Sequence, residues 1–404
     1  MILARVFLPF AFGYFLSYLY RVVNAVIAPD LVRDAGLDAN DLGLLTSAYF
    51  LIFAAFQLPL GILLDRFGPR RTEAGLLLFA AAGAIVFGMS DGTTGLIIGR
   101  ALIGFGVSAC LMAAFKAFVM WFPTGRLPLV NGLQMAAGGL GALAATRPVE
   151  AALQFTDWRG VFLALGVLTC VAAATIFFVV PERRATTGAP GLRTQIAGIS
   201  RVFSSSLFWR AAPLTVVSQA AFLSIQGLWS GPWLRDIGGL DREAVADHLF
   251  LVAASMVAGF VVMGFAAERL GRIGIRPIFV AVAGMALFVL VQVVLVLQWT
   301  GAVLPVWMLF GFFGTTGILP YAALSQRFPA DLAGRLNTGL NVMVFVLAWA
   351  GQWGIGAVID QWPTTASGGY DPAGYQAAFG MMLALQVAAL AWFMLFRGDR
   401  VPAN

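Results

Sequence analysis

Residues Gly61–Arg71 read GILLDRFGPRR, and residues Gly264–Arg272 read GFAAERLGR. Gly61 matches Gly264, Asp65 matches Glu268, Arg66 matches Arg269 and Gly68 matches Gly271, each pair 203 residues apart. A second match, Pro123 with Pro329 and Asn131 with Asn337, has an offset of 206. One such match would say little. Two at nearly the same offset, each at the end of a long apolar run, mark a chain whose second half repeats its first. In the first copy a Gly–Pro turn and two arginines interrupt the apolar run, which is where a chain leaves hydrocarbon for water.

The rest of the chain fits that reading. Of its 404 residues, 60% are hydrophobic and 11% are charged, against about 25% charged in a soluble domain. This excludes a soluble enzyme, a nucleic-acid-binding protein and a disordered scaffold. A membrane helix needs about 20 apolar residues. Twelve apolar segments can be read, at 4–29, 40–64, 72–91, 94–120, 128–152, 158–180, 208–232, 244–267, 274–298, 302–324, 335–360 and 374–396. Lipid offers no partner for backbone N–H and C=O groups, so each must be a helix. The expected fold is an all-α integral membrane protein whose twelve transmembrane helices form two pseudo-symmetric six-helix bundles, 1–180 and 208–404. A polar cytoplasmic linker, 181–207, joins them.

The net charge of +6 comes from 24 arginines and Lys116 against 19 acids. With the N-terminus in the cytoplasm, 17 of these cations fall on the cytoplasmic side and four outside, as the positive-inside rule requires. Both termini are then cytoplasmic, in a multi-pass protein of a bacterial inner membrane. The basic excess is a topology signal and implies no nucleic acid. Four cations remain at membrane depth: Arg21, Arg100, Lys116 and Arg147. Cys110 and Cys170 sit in apolar runs, and His248 stands alone at a helix end, so no disulfide, metal site or cofactor is expected. No GxxxxGK[ST] loop is present, which argues against ATP-driven pumping. The N-terminus shows no cleavable signal pattern.

Three motifs carry a family resemblance over essentially the whole chain: Gly61–Arg71, RALIGFG at Arg100–Gly106, and the glycine-rich Gly138–Pro148 in span five. Together they resemble the major facilitator superfamily. The resemblance implies a helix-to-helix latch involving Gly61, Asp65, Arg66, Gly68, Arg70 and Arg100, repeated at Glu268 and Arg269. Physically, an acid at a helix end pairs with arginine or with a neighbouring helix dipole. A simple cytoplasmic anchor is the other reading. The stretch Tyr18–Leu31, with Trp121–Pro123, Lys116 and Trp158–Arg159, resembles the superfamily's anion:cation symporter branch, where the first-helix arginine helps bind the anionic substrate. Two departures stand out. Tyr20 and Val107 occupy positions where that branch usually has an acid, and those acids are its proton-coupling candidates.

Charged groups inside a membrane are costly and point to function. Arg21 lies near the middle of span one, and its planar fork suits a carboxylate. It is read as the substrate ligand, with a structural hydrogen-bond hub as the alternative. Tyr18, Asn24, Tyr49 and Gln134 join it in the first half. The second half offers an uncharged polar and aromatic wall: Gln219, Gln226 and Trp229 on span seven, and Asn341, Trp349, Gln352 and Trp353 on span eleven. For each tryptophan, a place in the lipid-interface belt is the competing reading. Glu150, three residues after Arg147 on one helix face, is the candidate coupling acid, or else half of an outer-leaflet ion pair. Lys116 either snorkels or lines the inner vestibule.

These features predict a monomeric secondary transporter, not an enzyme. It would take up a small organic anion with a proton by rocking of its two halves, in a lipid bilayer. Efflux of drugs or amphipathic anionic metabolites is the alternative.

Overall fold

Gly68 adopts φ 77° and ψ 164° inside an otherwise helical run, Ala39–Met89. A side chain rarely tolerates that φ, and Pro69 follows at once, so the run breaks here into two spans. The structure, a computed structural model, describes residues 3–123, 126–182, 200–366, 368–396 and 398. The helices are α1 (Leu3–Val22), α2 (39–67), α3 (69–89), α4 (Thr93–Trp121), α5 (Leu127–Ala144), α6 (Trp158–Val179), α7 (Ser206–Asp236), α8 (Arg242–Arg272), α9 (Pro277–Val296), α10 (Val303–Ser325), α11 (Ala330–Ile359) and α12 (Pro372–Leu395). Eleven helices among the described residues are long and apolar enough to cross a membrane. The fifth span is the short one, and together they make the twelve-helix architecture. Of the expected linker, residues 183–199 lie outside the described residues, as do Arg397 and Arg400 of the cytoplasmic set.

Several spans are interrupted, and prolines account for part of this. Span five ends as a helix at Ala144. Thr146 takes φ −105° and ψ −111°, and a short helix, Arg147–Ala152, restarts with Pro148 in its first turn. In α10, a 3₁₀ turn at Thr315–Ile318 precedes Leu319–Ser325, with Pro320 in the first turn of that piece. In α7, a π-turn at Ile225–Trp229 precedes Ser230–Asp236, which contains Pro232. A proline lacks an N–H, so it sits best where a helical segment begins. α1 is likewise followed, after Val23, by a short helix, Asn24–Ala35.

The chain divides into two compact units, Met1–Leu37 with Leu44–Gly191, and Asp38–Gly43 with Leu192–Asn404. In the first unit α1 is central and packs on α4, α5 and α6. Its approach to α5 is so close that a Cβ at Gly141 would overlap the carbonyl oxygen of Phe15. In the core Phe87 stacks on Phe162 with ring centres 4.2 Å apart and meets Trp158 edge-on. In the second unit α7 packs on α11 and α12, α8 on α10, and α9 on α12. Gln292 and Gln386 exchange two amide hydrogen bonds, of 2.8 and 2.9 Å, across the α9–α12 contact. Outward faces are greasy: Phe178, Val261 and Met394 are among the most exposed side chains, as lipid-facing residues should be.

Candidate functional site

Arg21 is 6% exposed and is the penultimate residue of α1. Its guanidinium carbon lies 4.4 Å from the ring centre of Tyr18, one helical turn earlier, and 5.9 and 5.7 Å from Tyr49 and Phe53 of α2. The faces of these rings attract the cation. They carry no net charge. Tyr49 also faces Arg100 of α4, whose guanidinium carbon is 5.4 Å from its ring centre. Arg100 is buried and donates to the carbonyl of Tyr20 at 2.8 Å. Tyr49 is itself anchored, donating to the Ser17 carbonyl at 3.3 Å. Arg21, Tyr18, Tyr49 and Arg100 therefore form one cluster. Tyr20, at the position where the resembled branch has an acid, points to α6 and pairs with the Thr169 hydroxyl at 2.9 Å.

Asn24 and Gln134 are buried in the same unit but bind other partners. Asn24 donates to the Thr46 hydroxyl at 2.9 Å, and Gln134 donates to the Phe10 carbonyl at 3.1 Å. The second is a seam between α5 and α1.

In the second unit the expected wall splits in two. Trp229 donates to the Gln352 carbonyl at 2.9 Å, Ser224 to the Ala348 carbonyl at 3.0 Å and the Gln352 amide to the Ser224 carbonyl at 3.4 Å. All three side chains are buried, and they stitch α7 to α11. Gln226 is buried nearby on the π-turn of α7. Gln219, Asn341 and Trp349 are partly exposed, and Trp349 packs on Trp353 with ring centres 5.8 Å apart. Trp353 donates to Asn40 at 2.7 Å; Asn40 belongs to this unit through the short segment Asp38–Gly43.

The two copies of the repeated motif are used differently. Asp65 forms its ion pair with Lys116 of α4. A lysine thus stands in place of the expected arginine partner, and Lys116 neither snorkels alone nor merely lines a vestibule. A cytoplasmic anchor needs no such pairing, whereas this one joins α2 to α4. Arg70 and Arg71 reach Glu182, beyond α6, at 3.7 and 2.5 Å, and Arg70 also donates to the Phe177 carbonyl at 2.7 Å. Arg66 lies over the Phe67 ring. Glu268 pairs instead with Arg272 on its own helix at 2.6 Å, both well exposed, and Arg269 is exposed. Asp65, with Gly68, Arg66 and Arg70, lines a cavity of about 310 Å³ bounded by Trp121 and Glu182.

Trp158 and Arg159 tie the start of α6 to neighbouring segments. Trp158 donates to Asp34 at 3.0 Å, and Arg159 donates to the Ser90 carbonyl at 2.6 Å. Hydrogen bonds from Arg33 and from Trp158 hold the Asp34 carboxyl below the usual carboxylate range. Arg147 is half-buried and Glu150 buried on the short helix after α5. His248 bonds the Ala244 carbonyl of its own helix. Sequence reading passed over Glu73 of α3, which is fully buried.

A chain of apolar helices of this length is a multi-pass membrane protein. It belongs to the Major Facilitator Superfamily, whose family model matches residues 10–352, and it is a transporter rather than an enzyme. Among its relatives, the probable sulfoacetate transporter SauU of Cupriavidus necator is 24% identical over 81% of this chain and 82% of its own length. The hexuronate transporter of Escherichia coli is 27% identical over 40% of this chain and 37% of its own length. A bacterial homologue of the human lysosomal transporter Spinster superposes with a TM-score of 0.80, covering 97% of this chain and 96% of its own at 16% identity. That likeness shows the fold.

Proposed function

We propose that the protein is a secondary transporter that imports a small organic anion together with a proton. It acts as a monomer in a bacterial inner membrane, with both termini in the cytoplasm. Transport proceeds by alternating access, each half moving as a body. The observation that carries this reading is Arg21: a buried arginine set among Tyr18, Tyr49 and Phe53. A carboxylate or sulfonate would bring the negative charge that aromatic faces lack, and a guanidinium binds either group through two parallel N–H donors. Support for anionic cargo comes from the relatives whose names specify sulfoacetate and hexuronate. Both compounds are organic anions.

The test is uptake of labelled sulfoacetate and glucuronate into proteoliposomes. Arg21→Ala should lower uptake of the transported anion by about tenfold or more, since losing one partner of a desolvated charge pair costs about 2–5 kcal/mol. Arg21→Lys keeps the charge but loses the fork and should fall between. Unchanged uptake by Arg21→Ala would remove the anion-binding role.

A further inference from the structure

Glu73 lies on α3, five residues beyond the Gly68 break, and has no exposed surface. Neither of its carboxyl oxygens has a nitrogen or oxygen hydrogen-bond partner, and its polar neighbour is a thiol. Its setting is built around it from three other helices. On α1 it meets Gly13, where an added Cβ would lie 2.5 Å from Oε1. Ile176 of α6 closes over the same glycine, its Cδ1 3.6 Å from that Cβ position. From α4 it faces the buried thiol of Cys110. Gly13 thus leaves room for a carboxyl against the backbone of α1.

The cations of these helices are engaged elsewhere. On α3 and the loop before it, Arg70 and Arg71 are held by Glu182. On α4, Lys116 is held by Asp65 and Arg100 by the Tyr20 carbonyl. On α6, Arg159 is held by Asp91. On α1, Arg5 is exposed and Arg21 sits eight residues past Gly13, about 12 Å along the helix.

An ionised carboxylate whose polar neighbour is only a weakly donating thiol is costly in such surroundings, and a buried acid at membrane depth points to function. We propose that Glu73 carries the coupling proton of transport. In the state described, the side chain is the neutral acid. When α1 and α3 part at Gly13, water reaches the carboxyl from the nearby Gly68 end. The O–H bond breaks, the proton passes to that water, and a carboxylate remains. It takes a proton back from water on the opposite side before the helices close again. The acids missing at Tyr20 and Val107 would then have their counterpart on α3. This inference rests on the proton-coupled import proposed above.

Two measurements on the full-length protein test it. The first needs no substrate: infrared difference spectra of wild type and Glu73→Gln, recorded near neutral pH. A protonated-carboxyl carbonyl band present in wild type and lost in Glu73→Gln is expected. If no such band is lost, the proposal is overturned. The second uses proteoliposomes with sulfoacetate or glucuronate as probe. A gradient of one pH unit supports at most about tenfold accumulation through one-to-one coupling, since a pH unit is a factor of ten in proton activity. Wild type should approach that value. Glu73→Gln should not accumulate the probe, yet should exchange it by counterflow at a rate within about twofold of wild type. Retained counterflow also shows that the variant folds. If Glu73→Gln accumulates like wild type, the assignment of Glu73 fails and proton coupling survives. If wild type exchanges the probe but ignores the pH gradient, the coupling reading itself fails, and this proposal with it.

Discussion

Removing one partner of the Asp65–Lys116 pair should weaken the first unit and disturb the movement of its helices. The two side chains are 30% and 21% exposed. Fully exposed pairs contribute about 0–1 kcal/mol, whereas breaking a buried pair costs about 3–5 kcal/mol. With exposures between those limits, the expected interaction energy is about 1–2 kcal/mol, read from a double-mutant cycle. The variants are Asp65→Asn, Lys116→Met and the double substitution, each unfolded in detergent with denaturant. Salt gives a second reading. Raising ionic strength from about 0.01 to 1 M shortens the screening length from about 30 to about 3 Å. A partly buried pair should keep most of its interaction, while an exposed one would lose it. In transport assays both single variants should be slow, and the charge reversal Asp65→Lys with Lys116→Asp should recover part of the rate. Single-variant effects that add within about 0.5 kcal/mol, with no recovery on reversal, would refute the idea that this pair latches α2 to α4.

Three further outcomes follow from other contacts. Gly141→Val should lower stability by about 1–3 kcal/mol, because its side chain would press on the α1 backbone at Phe15; Gly132→Ala, on the same helix with open space around it, is the control and should melt like wild type. Trp229→Phe should cost about 1 kcal/mol by losing the 2.9 Å bond to the Gln352 carbonyl, measured by thermal unfolding with no change in substrate affinity. Asp34→Asn should be less stable than wild type near neutral pH. Its carboxyl titrates lower in the folded state, so the stability it adds is present above the ordinary aspartate value of about 4 and is lost as pH falls through the lower folded value; melting curves across that range should converge.

The fold could be read from the sequence because its signals are local. Apolar runs of fixed length and the Gly68–Pro69 break each act through the residues that carry them. The prolines at 148, 232 and 320 also marked real interruptions, since a missing N–H is a property of one residue. The partners of the site were not legible in the same way. For Lys116 the sequence supports snorkelling or a vestibule lining but not its partner, because Asp65, 51 positions away, is brought to it only by the crossing of α2 and α4. Glu73, two residues after Arg71, carries no local signal of its role. Its burial depends on a glycine 60 positions earlier on α1, which no pattern around Glu73 reveals. Trp229 and Gln352 are expected in the polar and aromatic wall, but the hydrogen bond from the Trp229 indole to the Gln352 carbonyl turns them into the α7–α11 seam.

The central claim is that Arg21 binds the anion that is transported. Its most direct test is the equilibrium binding of that anion to purified wild type and Arg21→Ala, by thermal shift and calorimetry over a panel that includes sulfoacetate and glucuronate. The account predicts that wild type is stabilised by an organic anion, that Arg21→Ala binds the same compound at least about tenfold more weakly, and that neutral analogues bind neither protein. An anion that binds both proteins equally would contradict it.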